Sequence, residues 1–163
     1  MVIIMVDEHL IKRRLVEIVQ DPSHPDRVET KLFRESKKKL FEDGHGICYI
    51  CGAVDDLQVH HYGAEYMFST VVDYKKLQEF LLEWDVYGYS HSITTPIISV
   101  DDIRNLLVLC EEHHIGGQSD GSSNGIHNIT FPAWISQKLV KSGYITVPEE
   151  LEDGHIGTVK SET

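Results

Sequence analysis

The stretch CYICGAVDDLQVHHYG, Cys48 to Gly63, decides how the rest of the chain is read. It places two cysteines in a C-x-x-C turn, then a run, LQVHHY, that reads as a β-strand carrying adjacent histidines. C-x-x-C offers two thiolates from one turn, which is half of a tetrahedral zinc site. The other half must lie elsewhere, and Cys110-Glu-Glu-His113 supplies it with the same two-residue gap. Cys48, Cys51, Cys110 and His113 thus make a complete Cys3His site that uses all three cysteines of the chain. Three buried cysteines with a surface histidine, or a redox C-x-x-C, are weaker readings. No thioredoxin-like βαβ pattern surrounds the motif.

Ten histidines is a high count, and His60, His61, His114 and His127 are left over beside the zinc set. Side chains of adjacent strand residues point to opposite faces, so His60 and His61 need separate tasks. Clustered histidines of this kind are candidates for a second metal or for proton transfer.

Outward from these segments, the spacing predicts a helix over residues 8–20, a turn-rich linker at DPSHPD, and a helix from about Glu29 to Phe41. Ala53 to Tyr62 reads as a short hairpin turning at Val54-Asp55-Asp56. Residues 64–100 read as an insertion containing a helix near Asp73–Trp84. The apolar run IRNLLVLC leads to the second half-site, and EEHHIGG begins a short helix. QSDGSSNG is a loop, and a last helix runs from Thr130 to about Lys141 before a frayed tail. The expected organisation is an N-terminal helical arm (1–46), a zinc-binding core (47–130) interrupted at about 64–100, and a C-terminal helix and tail (131–163). The fold class expected is α+β.

The chain has 163 residues and a net charge of −11. Residues 1–51 balance 9 basic against 9 acidic residues, whereas residues 52–130 carry 3 basic and 12 acidic. The middle of the chain therefore repels a polyanion on average. Lys31, Arg34, Lys37, Lys38 and Lys39 concentrate positive charge on one predicted helix, as a solvated face or a phosphate-contacting one. The acidic segment 64–100 is a candidate surface for a protein partner. No apolar run reaches the roughly 18–20 residues of a membrane span. The apolar run of MVIIMVDEHLIKRRL is too short for a signal peptide and its charges follow it, so a cytoplasmic protein is expected.

C-x2-C, a strand ending in VHH, NLLVLC-x2-HH and then GIH resemble, in that order, the HNH endonucleases of phages and bacteria, with a ββα-metal core. The resemblance covers Cys48–Tyr62 and about Asp102–Asn128. It implies a small zinc-stabilised HNH-like core with flanking helices that hydrolyses phosphodiester bonds of DNA, most simply double-stranded. By resemblance, His61 is the general base that activates water. His60, His114 and His127 bind a catalytic divalent ion, and Asn105 fixes the catalytic histidine through the loop between the strands. Histidine ligands suit Mn2+, Ni2+, Co2+ or Zn2+ better than Mg2+. Two departures from the pattern stand out. Residues 62–104 separate the histidine pair from Asn105, so 64–100 should bulge from the core. Residues 115–126 separate His114 from His127 where the family has a single helical turn. The competing readings are a non-catalytic zinc module that binds nucleic acid or protein, and an adaptor acting through 64–100.

Overall fold

A computed structural model describes residues 26–116, 125–126 and 138–143. The expected helix over 8–20, His127 and most of the last expected helix lie outside the described residues. Among the described residues the chain mixes helices with one small two-stranded sheet, consistent with the α+β class. Helix α1 spans Lys31–Glu42, strand β1 Leu57–His61, α2 Tyr74–Glu83, α3 Tyr89–Ser92, β2 Leu106–Cys110 and α4 Glu111–Ile115.

Helix α1 begins where Thr30 accepts a hydrogen bond from the Phe33 amide at 3.0 Å, satisfying one orphan donor of the first turn. Its buried stripe is Phe33, Ser36 and Leu40, at helical spacing. It packs on a cluster that includes Val59, Ile103, Leu106 and Val108.

Strands β1 and β2 pair antiparallel, with Leu57 opposite Cys110 and His61 opposite Leu106. This register corrects the local hairpin expected from Ala53 onward. The Ala53 carbonyl instead accepts the Cys48 amide at 2.7 Å and closes the cysteine turn. The partner of β1 comes from 45 or more residues away: among the described residues the fully buried β2 is the strand whose backbone pairs with it.

Residues 64–100 build an apolar cluster of their own and also return to the cluster under the sheet, where Tyr89 joins Phe33 and Val108. Ala64, Phe68, Val71, Val72, Leu77, Phe80, Leu81, Ile97 and Val100 form one apolar cluster with Leu139 and Val140. Asp73 caps α2 by accepting from the Lys75 and Lys76 amides. The C-terminal segment is pinned to this unit by the Asp73 amide to the Leu139 carbonyl (2.8 Å) and the Lys141 amide to the Val71 carbonyl (3.0 Å). Buried Arg104 ties the returning chain to the entry of β2. It grips Asp102 with two nitrogens at 2.7 and 2.8 Å and donates to the Thr95 carbonyl at 2.8 Å. No helix among the described residues is long and apolar enough to cross a membrane.

Candidate metal centres

The cysteine turn docks on β2 through the Tyr49 amide, which donates to the Val108 carbonyl at 2.9 Å. Gly52 closes the turn at φ +76, a left-handed conformation that an L side chain rarely adopts. Cys110 ends β2 and α4 starts at the next residue, so His113 falls one turn along and returns toward Cys110. The sulfurs of Cys48, Cys51 and Cys110 and a ring nitrogen of His113 all lie within 4.8 Å of one another. Cys51 Sγ is 3.8 Å from Cys110 Sγ, and His113 Nδ1 is 3.7 Å from Cys48 Sγ and 3.2 Å from Cys110 Sγ. Zinc bonds of about 2.3 Å to sulfur and 2.0–2.1 Å to nitrogen require tetrahedral edges of roughly 3.6–3.8 Å. Two of the three edges match and the third is slightly compressed. The donor chemistry and the spacing both fit a structural zinc.

Burial alone would raise the Cys48 thiol, but hydrogen bonds from the backbone of Cys110, Cys51 and Ile50 outweigh it and bring its pKa to about 6. Burial raises the Cys110 thiol, and the neighbouring Cys48 and Cys51 add to the rise. Several thiolates packed this closely repel one another, and a divalent cation among them removes that cost.

The strand's alternation sends the paired histidines to different neighbourhoods. His60 shares a face with Gln58, toward α4. Its ring centre is 4.9 Å from that of His114, and its Nδ1 donates to the His61 carbonyl. The Nδ1 of His114 faces the side-chain oxygen of Gln58. Glu65, on the turn just past β1, brings a carboxylate oxygen to 3.4 Å from His60 Nε2. Burial pushes the Glu65 carboxyl up to about 7, against an opposing pull from Arg27.

His61 points the other way, toward α1. It is 0% exposed, its ring centre lies 5.5 Å from that of Phe33, and its Nε2 sits 2.8 Å from Asp101 Oδ1. Asp101 in turn accepts from the Thr30 hydroxyl at 2.7 Å, and its backbone carbonyl accepts from Ser36 at 3.0 Å. Burial would raise the Asp101 carboxyl, but the hydrogen bonds from His61 and Thr30 hold it below the usual range. The buried Nδ1 of His61 has no hydrogen-bond partner among the described residues. A base that deprotonates water needs that water within about 3.2 Å. The ring to which the resemblance assigns water activation is thus held through Nε2 by Asp101, with Nδ1 unengaged among the described residues. Its position suits the fixing of β1 against α1.

Asn105 is also 0% exposed. Its Oδ1 accepts from the Gly63 and Ala64 amides at 2.9 and 3.0 Å, and its Nδ2 donates to the Ala64 and Val100 carbonyls at 2.8 and 2.7 Å. It therefore clamps the turn that leads from His61 to Glu65. Gly63 leaves the room for this: a Cβ there would lie 2.7 Å from Asn105 Oδ1.

The expected catalytic set is thus brought together in part. His60 and His114 meet, His61 faces away and His127 lies outside the described residues. Among the described residues the Cys3His group is the one set of three or more metal-ligating residues drawn within 4.8 Å. Glu65 and Asp101 escaped the sequence reading. Glu65 follows the VHHYGA run directly, and a carboxylate so close to a histidine pair was the signal available.

The basic residues of α1 are largely paired. Lys31, Lys38 and Lys39 meet Glu35, Glu42 and Asp43 at 3.5, 3.4 and 2.7 Å, one turn further along the chain. Arg34 donates to the Glu29 carbonyl at 2.7 Å. Comparison with known family models, curated proteins and solved structures finds no match.

Proposed function

We propose that this chain is a metal-dependent endonuclease of the HNH type that hydrolyses DNA phosphodiester bonds. The observation that carries the reading is the facing of His60 on β1 and His114 on α4, ring centres 4.9 Å apart, in a β–β–α unit stapled by a Cys3His site. In each imidazole Nδ1 is occupied by a carbonyl-type oxygen. This is the arrangement in which a metal-ligating histidine holds its ring and presents Nε2. A divalent ion bound there supplies charge neutralisation at phosphate and a more acidic water. The chain's own residues hold that site in place: Asn105 fixes the turn after β1, and Asp101 fixes His61 and through it the end of the strand.

DNA is the expected substrate, and α1 offers its contact face through Lys37 and the lysines beside it. The test is relaxation of supercoiled plasmid by zinc-loaded protein with added Mn2+. Nicking that is lost in His60→Ala and His114→Ala supports the reading, and wild-type protein that leaves plasmid intact overturns it.

A second reading, a non-catalytic zinc module that binds nucleic acid or protein, is favoured by one observation. The lysines of α1 are neutralised locally by Glu35, Glu42 and Asp43, which mutes the chain's basic face. DNA or protein binding without cleavage would favour it.

A further inference from the structure

Glu65 stands in the segment after β1 that the sequence pattern sets apart as an insertion, yet its carboxylate reaches back to His60. A carbonyl oxygen can only accept a hydrogen bond, so the Nδ1 of His60, which faces the His61 carbonyl, carries the ring proton. In a neutral ring, Nε2 then presents a lone pair. That lone pair faces Glu65 Oε1 at 3.4 Å, an electron-rich atom against another. A shared proton would draw the two to about 2.7–3.2 Å. A metal cation between them resolves the conflict at the wider spacing.

Taken pair by pair, two distances are compatible with one. Two ligand atoms on a shared ion with bonds of about 2.1 Å lie roughly 3.0–3.4 Å apart at right to tetrahedral angles. His60 Nε2 and Glu65 Oε1 are 3.4 Å apart. Two imidazoles on a shared ion have ring centres roughly 4.5–5.2 Å apart by the same geometry. His60 and His114 are 4.9 Å apart. Both rings have their Nδ1 held by oxygen, from the His61 backbone and the Gln58 side chain, so each would bind the ion through Nε2.

We propose that Glu65 is the carboxylate ligand of a divalent-ion site whose imidazole ligands are His60 and His114. The inference rests on the endonuclease reading for the ion's purpose, but not for its existence. The trio is more open than the Cys3His cluster, whose donor atoms alone among the described residues lie within 4.8 Å of one another. Water or phosphate oxygen would fill the remaining coordination positions of such an ion. The hard oxygen of Glu65 extends the preference of two histidines toward Mn2+.

The experiment is titration calorimetry of the zinc-loaded full chain with Mn2+, backed by the Mn2+ paramagnetic resonance signal. Zinc content and thermal unfolding are checked for each variant. Wild type is expected to bind one Mn2+ beyond its zinc, and Glu65→Gln to bind it at least about tenfold more weakly while keeping zinc and fold. Glu65→His is expected to regain affinity for Ni2+, which a merely structural role for Glu65 would not produce. Unchanged Mn2+ affinity in Glu65→Gln, with loss in His60→Ala, overturns the assignment of Glu65 and leaves the endonuclease reading standing. Plasmid nicking by wild-type protein that binds no second ion also overturns the site without removing the activity.

Discussion

His61 Nε2 lies 2.8 Å from Asp101 Oδ1, a buried contact that joins the end of β1 to a residue 40 positions later in the chain. Thr30, the N-cap of α1, donates to the other oxygen of the same carboxylate. Three separate parts of the chain therefore meet at one acid, which sits between the basic helix and the histidine strand.

Replacing Asp101 with Asn should destabilise the zinc-loaded protein by about 3 kcal/mol, since it breaks a buried, hydrogen-bonded charge. The Asp101 carboxyl is held below 3.8 in the folded state, so its contribution is complete above that pH. It fades as pH falls through the lower folded value. Urea unfolding of wild type and Asp101→Asn should thus show a gap that is steady from about pH 7 to 5 and shrinks below about pH 4. A gap that widens on acidification would contradict the assignment.

One tightly held zinc per chain is expected by elemental analysis. Cys48→Ser or Cys110→Ser should fold poorly, because metal affinity at such a site is also folding free energy. A stable, metal-free native chain would exclude the Cys3His site.

Asn105→Ala removes four hydrogen bonds and leaves the buried Gly63 and Ala64 amides without partners. The expected loss is about 3 kcal/mol or more, since each orphaned group costs about 1–3 kcal/mol. Gly63→Ala should also destabilise, because its Cβ would meet Asn105 Oδ1 at 2.7 Å and Leu77 Cδ1 at 3.1 Å. Chemical denaturation measures both. A neutral Asn105→Ala would mean that this turn is held by other contacts.

Neutralising Lys37, Lys38 and Lys39 together should weaken DNA binding and flatten its salt dependence. The slope should drop by about 0.9 log-log units for each phosphate that the helix no longer neutralises. Lys38 and Lys39 are paired with Glu42 and Asp43, so Lys37→Gln alone should account for much of the change. An identical salt slope in the triple variant would show that α1 faces away from DNA.

The Cys3His cluster was legible because its chemistry is local: two short spacings, each closed within one turn, and no cysteine left over. Helices α1 and α2 were legible for the same reason, from apolar residues at helical spacing, and the fold adds Thr30 and Asp73 as their caps. The partner of β1 was not, because nothing near Ala53 distinguishes a hairpin strand from a turn whose carbonyl serves Cys48. The segment 64–100 read as an excursion because most of its apolar residues meet partners distant in sequence: one another, Leu139 and Val140, and, for Tyr89, Phe33 and Val108. Glu65 and Asp101 reach their histidines through that packing, and no periodicity announces them. Strand alternation separates His60 from His61 in the sequence, but only the fold shows that His61 lies against α1 and Asp101 while His60 lies against His114.

The most direct measurement is relaxation of supercoiled plasmid by the zinc-loaded chain in the presence and absence of Mn2+. Nicking is expected to require added Mn2+ and to fall about 10²-fold or more in His60→Ala, the loss of several kcal/mol of metal-borne stabilisation. His61→Ala should lower activity and stability together, since His61 holds the strand in place. Wild-type protein that carries its zinc and binds DNA, yet leaves the plasmid supercoiled with Mn2+, Co2+, Ni2+ and Mg2+ alike, would contradict the endonuclease reading.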